Sequence, residues 1–514
     1  MTLLGLRRMV PLLGAASLAW MTTACRPRPP VGDDGDAPLA TEAVELLVPF
    51  DAETLDPRFA VDVIGVRVSR IVHAGLVELD PDTLLPSPSL AKSWRWLDAL
   101  TLELDLRDDV RFHSGAQFEA DDVVATLESF DSSAVLPRIG RILEPVERVD
   151  RVGPHQVRIH LRRPHVTLLT DLELPILRRD QAKSAPSPDG ALDGLGPFRI
   201  GGRAFGEIRL VPADTGLVPR PRHPVVVRAV RDENARALRF HAGSSDVTVN
   251  GFSPILLPVF AGHRDLEVRA RPGANVTYLL MRNDQGPFRD ARLREALSLV
   301  VDRPLVARTL LGGHAEPTGT LLPTGHWATP PGIEVEGVDK QRARSLVREV
   351  AGSPDGRIRV VYLTSTDRVR MSIARFVAQE ASEIGLDLEV TPLELGTLLA
   401  RLNAGEFDAA MLQLPELTEP NVFRVFAHSA SIPPAGANRA RIRDGEIDDL
   451  LDRGDRTTDL DERRRIYARF EARMREGHFL VPLWHEDQVS ITSARARSFV
   501  PSAEGRWRSL AFLP

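Results

Sequence analysis

At 514 residues and 43% hydrophobic composition, the chain can bury a large core, and its length points to two or three domains. A formal net charge of −6 at pH 7 leaves no overall basic field to recruit nucleic acid; Lys stands only at 92, 183 and 340, and the arginines are scattered along the chain. The single cysteine, Cys25, excludes an intramolecular disulfide, and an aromatic content of 5% is low for gripping bulky side chains.

Arg7 and Arg8 form a short positive region, and 9–21 is an apolar stretch too short for a comfortable membrane span. Thr22, Thr23 and Ala24 then place small residues before Cys25. This arrangement resembles a lipoprotein signal over 1–25, in which the cysteine is lipidated, although Thr22 stands where Leu is usual. Residues 26–41 lack periodicity and are rich in Pro, Gly and Asp. They predict a flexible tether, reaching about 3 Å per residue where polyproline-like.

The body opens on an apolar strand at 44–50. Leu100, Leu102, Leu104 and Leu106 alternate with Thr101, Glu103, Asp105 and Arg107, the period-2 pattern of a half-buried strand. Val123, Leu127 and Phe130 predict a helix over 121–130, and 157–161 reads as a short strand. Breakers crowd 181–197. Leu293, Ala296, Leu297, Val300 and Val301 fall on one face of an amphipathic helix. A second helix, 305–311, stops at Gly312-Gly313. Asp339 reads as the N-cap of a helix that turns Ala343, Leu346, Val347 and Val350 inward and ends at Gly352. From 358 the pattern alternates: strand 358–364, helix 369–384 closed by Gly385, strand 386–391, a short helix ending near Gly405, and strand 407–414. Such β-α-β-α-β order builds an open, mainly parallel sheet. Ligands lie beyond the carboxyl ends of its strands, so the segments after Thr364 and Leu414 are the places to look for binding residues.

Across these elements runs an ordered set of phrases. T-L-D-P stands at 54–57, G-L-V-E-L-D at 75–80, P-S-L-A-K-S-W at 88–94, L-R-D-D-V-R-F-H-S-G at 106–115 and A-D-D-V-V at 120–124. G-L-G-P-F follows at 194–198, P-G-A-N-V-T-Y-L-L-M-R-N at 272–283, P-F-R-D-A-R-L-R-E-A-L-S-L-V-V-D-R at 287–303, D-L-D-E-R-R-R-I-Y-A-R-F at 459–470 and F-L-V-P-L-W-H at 479–485. Their joint order and spacing resemble the extracytoplasmic receptors of bacterial ABC importers, in the peptide- and nickel-binding family. The resemblance runs through nearly everything after the tether and is weakest over 130–190 and 200–272. It implies an α/β, two-lobed periplasmic-binding-protein-like (type II) fold with a third domain inserted in lobe one. Lobe one would comprise 42–82, 195–275 and 487–514, the insert 83–194 and lobe two 276–486, with crossing strands near 275–283 and 484–490. The implied function is capture of a peptide or other small solute between two closing lobes and its delivery to the transmembrane subunits of an ABC permease. The implied location is the periplasm or cell surface, with the protein anchored to the membrane through Cys25.

Peptide binders of this family pair the ligand's terminal amine with an aspartate in a W-x-x-D-x-x-D-P phrase. In the matching stretch, M-L-Q-L-P-E-L-T-E-P at 411–420, Gln413 replaces the tryptophan, and Glu416 and Glu419 replace the aspartates. Either glutamate is an amine partner or a solvated loop residue, with Glu419, fixed beside Pro420, the better anchor. Arg368 and Arg370 follow the strand ending near Thr364; one would receive a ligand carboxylate, or both lie on a solvated face. Trp484 sits where the chain recrosses, as packed hinge or stacking surface. His155, His160 and His165 cluster locally, but a spacing of five fits neither a helix face nor a strand face; they read as structural or surface residues, and no metal or cofactor is expected. Phosphate loops, G-x-G-x-x-G, H-E-x-x-H, G-x-S-x-G and paired cysteines are all missing from the sequence. No enzymatic activity is therefore expected. The open alternatives are the same fold holding a nickel chelate, haem or an oligosaccharide, a surface hydrolase, and a chaperone-like lipoprotein.

Overall fold

The computed structural model describes residues 42–130, 143–353 and 356–514; the expected signal segment, the tether and Cys25 lie outside them. Two mixed sheets organise the body. The first has seven strands, in the order Leu266–Arg271, Gln488–Ser493, Val247–Val249, Val44–Val48, Val225–Ala229, Glu207–Pro212 and Phe198–Ala204. Its central strand, Val44–Val48, runs parallel to both neighbours. Alternate side chains of that strand feed two cores: Val44, Leu46 and Val48 pack with Ile64, Phe198 and Trp507, while Leu47 packs with Phe240 and Ile491. Burial on both faces is why this strand reads as an unbroken apolar run.

The second sheet has six strands, in the order Ala315–Pro317, Leu480–Glu486, Val276–Met281, Ala409–Leu414, Ile358–Ser365 and Leu386–Leu393. Ile358–Ser365 is parallel to both of its neighbours, as the strand-helix alternation predicts. The intervening helices are Arg368–Ser382 and Leu395–Ala404. Asp367 caps the first by accepting a hydrogen bond from the Arg370 amide, and Gly405 closes the second in the left-handed region at φ 76°. Asp339 and Gly352 likewise bound the helix Lys340–Ala351. The predicted helix through Val301 is shorter in the structure, ending at Ser298. Asp302 leaves the helical backbone conformation to cap Arg303–Thr309, whose second residue is Pro304; a proline has no amide hydrogen to carry the preceding helix through and fits only a first turn. All five predicted inward residues are nonetheless buried.

A four-stranded antiparallel sheet, Ala91–Asp98, Thr101–Leu106, Gln156–Leu161 and Val146–Gly153, falls in the chain between the strands Val44–Val48 and Phe198–Ala204 of the first sheet. Leu102, Leu104 and Leu106 pack there with Phe118, Val123, Leu127 and Phe130, the last three from the helix Ala120–Ser129 and its C-cap. The chain passes between the two large sheets twice, at 271–276 and at 486–488. Only Asp487 separates the strand Leu480–Glu486 from Gln488–Ser493.

Candidate functional site

Where the two sheets meet, a cavity of about 330 Å³ is lined by residues of both, within the size range of small-molecule sites. Asn250 follows a strand of the first sheet and Arg67 lies on a helix packed against it, Gln413 and Glu416 lie at a strand end of the second, and Asn275, Glu486, Asp487 and Gln488 belong to the two passages between them. Asn275 fastens that passage. Its side-chain amide donates to the Glu486 carbonyl at 2.7 Å and accepts from the Glu486 amide at 2.9 Å, while His485 Nδ1 contacts the Asn275 carbonyl. Burial pushes His485 down to about 4, so a neutral ring fills this position.

Arg67 and Arg70 stand three apart on the helix Val63–Val72, one turn of separation that keeps both on one face. Arg70 Nη1 reaches Glu416 Oε2 at 3.2 Å, joining the two lobes beside the cavity. Glu416 follows the strand Ala409–Leu414 with φ at 51°, a left-handed turn that few non-glycine residues adopt. Burial raises its pKa, but Arg70, Arg506 and Arg67 together hold it below the usual carboxylate value. Gln413 lies on the same strand end and donates to Asn275 Oδ1 at 3.3 Å.

Glu419 is placed differently. It caps the short helix Pro420–Val422, accepts from the Asn421 amide at 3.2 Å, and meets Arg463 Nη2 at 2.5 Å. Arg463 in turn lies over the Trp327 ring at 4.9 Å. Both members of this pair are buried or nearly so, and neither lines the cavity.

Arg370 meets Glu486 Oε1 at 2.7 Å. Thr277 Oγ1 and Trp484 Nε1 donate to the same oxygen at 2.9 and 3.2 Å. Burial raises the Glu486 pKa, yet Arg370 and these donors bring it below the ordinary value. Arg370 therefore steadies a carboxylate of the cavity wall, while Arg368 is exposed on the first turn of the same helix. Trp484 is fully buried, packed with Leu279, Leu293 and Val481 behind the cavity. The structure thus gathers Gln413, Glu416 and, through Glu486, Arg370 about one cavity; Glu419 and Arg368 lie outside it.

His165 makes a structural contact at long range, outside the cavity lining. Its ring bonds Asp455, on the second lobe's helix Gly445–Arg456, at 2.8 Å, and stands 3.6 Å from Asp171. The Val166 amide donates to the Asp455 carbonyl at 3.0 Å. This second contact across the gap links residues separated by 290 positions, which local spacing cannot reveal. Sequence reading also missed Arg67, Arg70, Asn275 and Glu504. Arg67 and Arg70 belong to no quoted phrase; Asn275 lies within the 272–283 phrase, its one visible signal.

No helix among the described residues is long and apolar enough to cross a membrane. Residues 86–425 match the family described as bacterial extracellular solute-binding proteins, family 5, middle. The chain is 25% identical over 499 residues to a glutathione-binding protein, GsiB, of Escherichia coli O1:K1 / APEC, covering 90% of this chain and 92% of that one. Its fold is similar to NikA from Brucella suis, solved with Fe(III)-EDTA, at a TM-score of 0.82 and 22% identity, with 91% and 99% of the chains covered. It is also similar to DppA from Helicobacter pylori, solved with the peptide STSA, at 0.74 and 20% identity, covering 91% and 97%.

Proposed function

The chain belongs to the bacterial extracellular solute-binding proteins of family 5, and from that premise we propose that it serves an ABC importer by closing its lobes over a short peptide or peptide-like solute. The observation that carries this reading is the cavity at the two-lobed junction, bridged by Arg70 and Glu416. A ligand touching both lobes at once selects the closed form, and the permease would recognise that form. In this reading the first lobe is 42–82, 195–275 and 487–514, the second 276–486, and 83–194 an inserted domain. Glu416 and Gln413 contact the ligand, with Glu416 facing its amine and Arg370 holding Glu486 in place. The protein captures and hands over its solute without transforming it. Glutathione is a suitable first probe, since a relative matched over 90% of the chain bears that name. Lipidation of Cys25, the only cysteine, would keep the receptor at the membrane; loss of membrane retention in Cys25→Ser checks it.

The test is a thermal-shift titration of the purified protein with glutathione, di- to pentapeptides, nickel chelates, haem and oligosaccharides. Binding to the native state alone must raise the melting temperature in a saturable way. A rise with glutathione or short peptides is expected. A cooperative melt moved only by a chelate, haem or a sugar would replace the peptide reading with a non-peptide one.

A further inference from the structure

Among the described residues, one guanidinium lines the cavity, that of Arg67, and three others hold carboxylates of its wall. Arg70 holds Glu416 at 3.2 Å, Arg370 holds Glu486 at 2.7 Å, and Arg506 meets Glu173 and, at 3.1 Å, Glu504. Arg67 is the exception. It lines the cavity, is half-buried, and its side chain makes no hydrogen bond or ion pair among the described residues; its Nε is buried without a partner. Its Cζ lies 5.7 Å from the ring centre of Trp507, itself 1% exposed, so the guanidinium rests on a fixed aromatic surface.

A desolvated cation without a counter-charge is unfavourable unless something returns the lost interaction. Burial lowers the pKa of Arg67; Glu416 counters this, Arg70 adds to it, and Glu504 counters it again. Neither carboxylate is within ion-pair distance of Arg67, since each is drawn to another arginine. The cavity of about 330 Å³ has room for roughly ten water volumes, enough for an acid group and a residue behind it. A guanidinium presents donors in a planar fork that matches the two oxygens of a carboxylate or other oxyanion.

We propose that Arg67 is the anion seat of this cleft, so that the transported solute carries a carboxylate or another oxyanion that docks on it from inside the cavity. The proposal rests on the receptor reading and narrows it to acid-bearing solutes. It also explains why a guanidinium without a hydrogen-bond partner stands beside the closure contact: its free donors are left for an oxyanion that enters the cleft.

The test uses the full-length protein, its Arg67→Gln and Arg67→Lys variants, and two sets of probes. The first set is malonate and inorganic phosphate at constant ionic strength. The wild type should show a saturable rise in melting temperature that Arg67→Gln lacks, and Arg67→Gln without ligand should melt no lower than wild type. The second set is glutathione and short peptides as free acids and as C-terminal amides; Arg67→Gln should weaken the free acids by about 30-fold or more and leave the amides nearly unchanged. Arg67→Lys, which keeps the charge without the fork, should fall between. Absence of a saturable anion effect in the wild type overturns the proposal, as does a large loss of ligand-free stability in Arg67→Gln, which would make Arg67 a structural partner. If peptides bind but acids and amides are held alike, the anion seat falls and the receptor reading stands. If the anions act through Arg67 while no peptide binds, the anion seat stands and the peptide reading falls.

Discussion

Glu416 and Glu419 lie three positions apart on one loop, yet their surroundings assign them opposite work. Glu416 keeps about a third of its side chain exposed and faces Arg70 beside the cavity. Solvent still reaches this partly buried pair and screens it, so it contributes about 1 kcal/mol or less. Glu419 and Arg463 have side chains 14% and 7% exposed, and breaking a buried pair strands the remaining charge. Glu419→Ala should therefore lower folding stability by about 3–5 kcal/mol, read by urea denaturation, with little effect on ligand affinity in the surviving native protein. Glu416→Ala should change stability by less than about 1 kcal/mol and weaken an amine-bearing peptide by about 2–4 kcal/mol. Reversal of the two patterns would move the amine site to Glu419. The sequence placed both glutamates beyond the strand end at Leu414, and the left-handed turn at Glu416 and the cap at Glu419 are local features that follow from it. What separates them is Arg463, 44 residues further on. No local pattern links a loop glutamate to a helix arginine at that distance when arginines are scattered throughout the chain.

At the scale of elements, helices and strands were legible because each carries its own boundary. Asp339 and Asp367 cap, Gly352, Gly385 and Gly405 stop, and apolar periodicity fills the interval. Contacts between elements from different lobes carry no such signature, and the one at His165 is titratable. Burial depresses the pKa of this histidine, but hydrogen bonds to Asp171 and Asp455 outweigh it and raise the value from 6.5 to about 9. A raised folded-state pKa means the contact stabilises fully below pH 6.5 and is lost as pH climbs through 9. Asp171, lifted by burial to about 6, completes its own titration below most of that interval. Folding stability should thus decline by on the order of 2 kcal/mol between pH 6.5 and 9.5. His165→Ala should flatten that slope, and Asp455→Asn should reduce it. Urea midpoints across the interval measure this; an equal slope in wild type and His165→Ala would remove His165 as its source.

For the whole molecule, the described residues join the two large sheets covalently at 271–276 and 486–488, both at one edge of the cavity. Asn275 ties those two passages to each other through its bonds to Glu486. Rotation about this short seam leaves each sheet's ladder and core intact, whereas a rotation elsewhere would break packed apolar contacts. Away from the seam, the Arg70–Glu416 pair and the His165–Asp455 contact both cross the gap. The first is partly open to solvent and the second is a single buried pair, so closure is held by a few contacts that a ligand can reinforce. The double variant Arg70→Ala with His165→Ala should therefore stay folded while populating an open form. Small-angle scattering should give it a radius of gyration above both the wild-type value and the roughly 23 Å of a compact body of this size, with an unchanged far-ultraviolet spectrum. A saturating ligand of the cleft should bring the value back, because contacts from both lobes replace the two that were removed. Identical scattering from wild type and variant would mean that the seam itself, with Asn275 and His485 packed into it, sets the angle between the lobes. In that case the cleft would be a rigid receptor, and ligand binding would leave the scattering curve of the wild type unchanged as well.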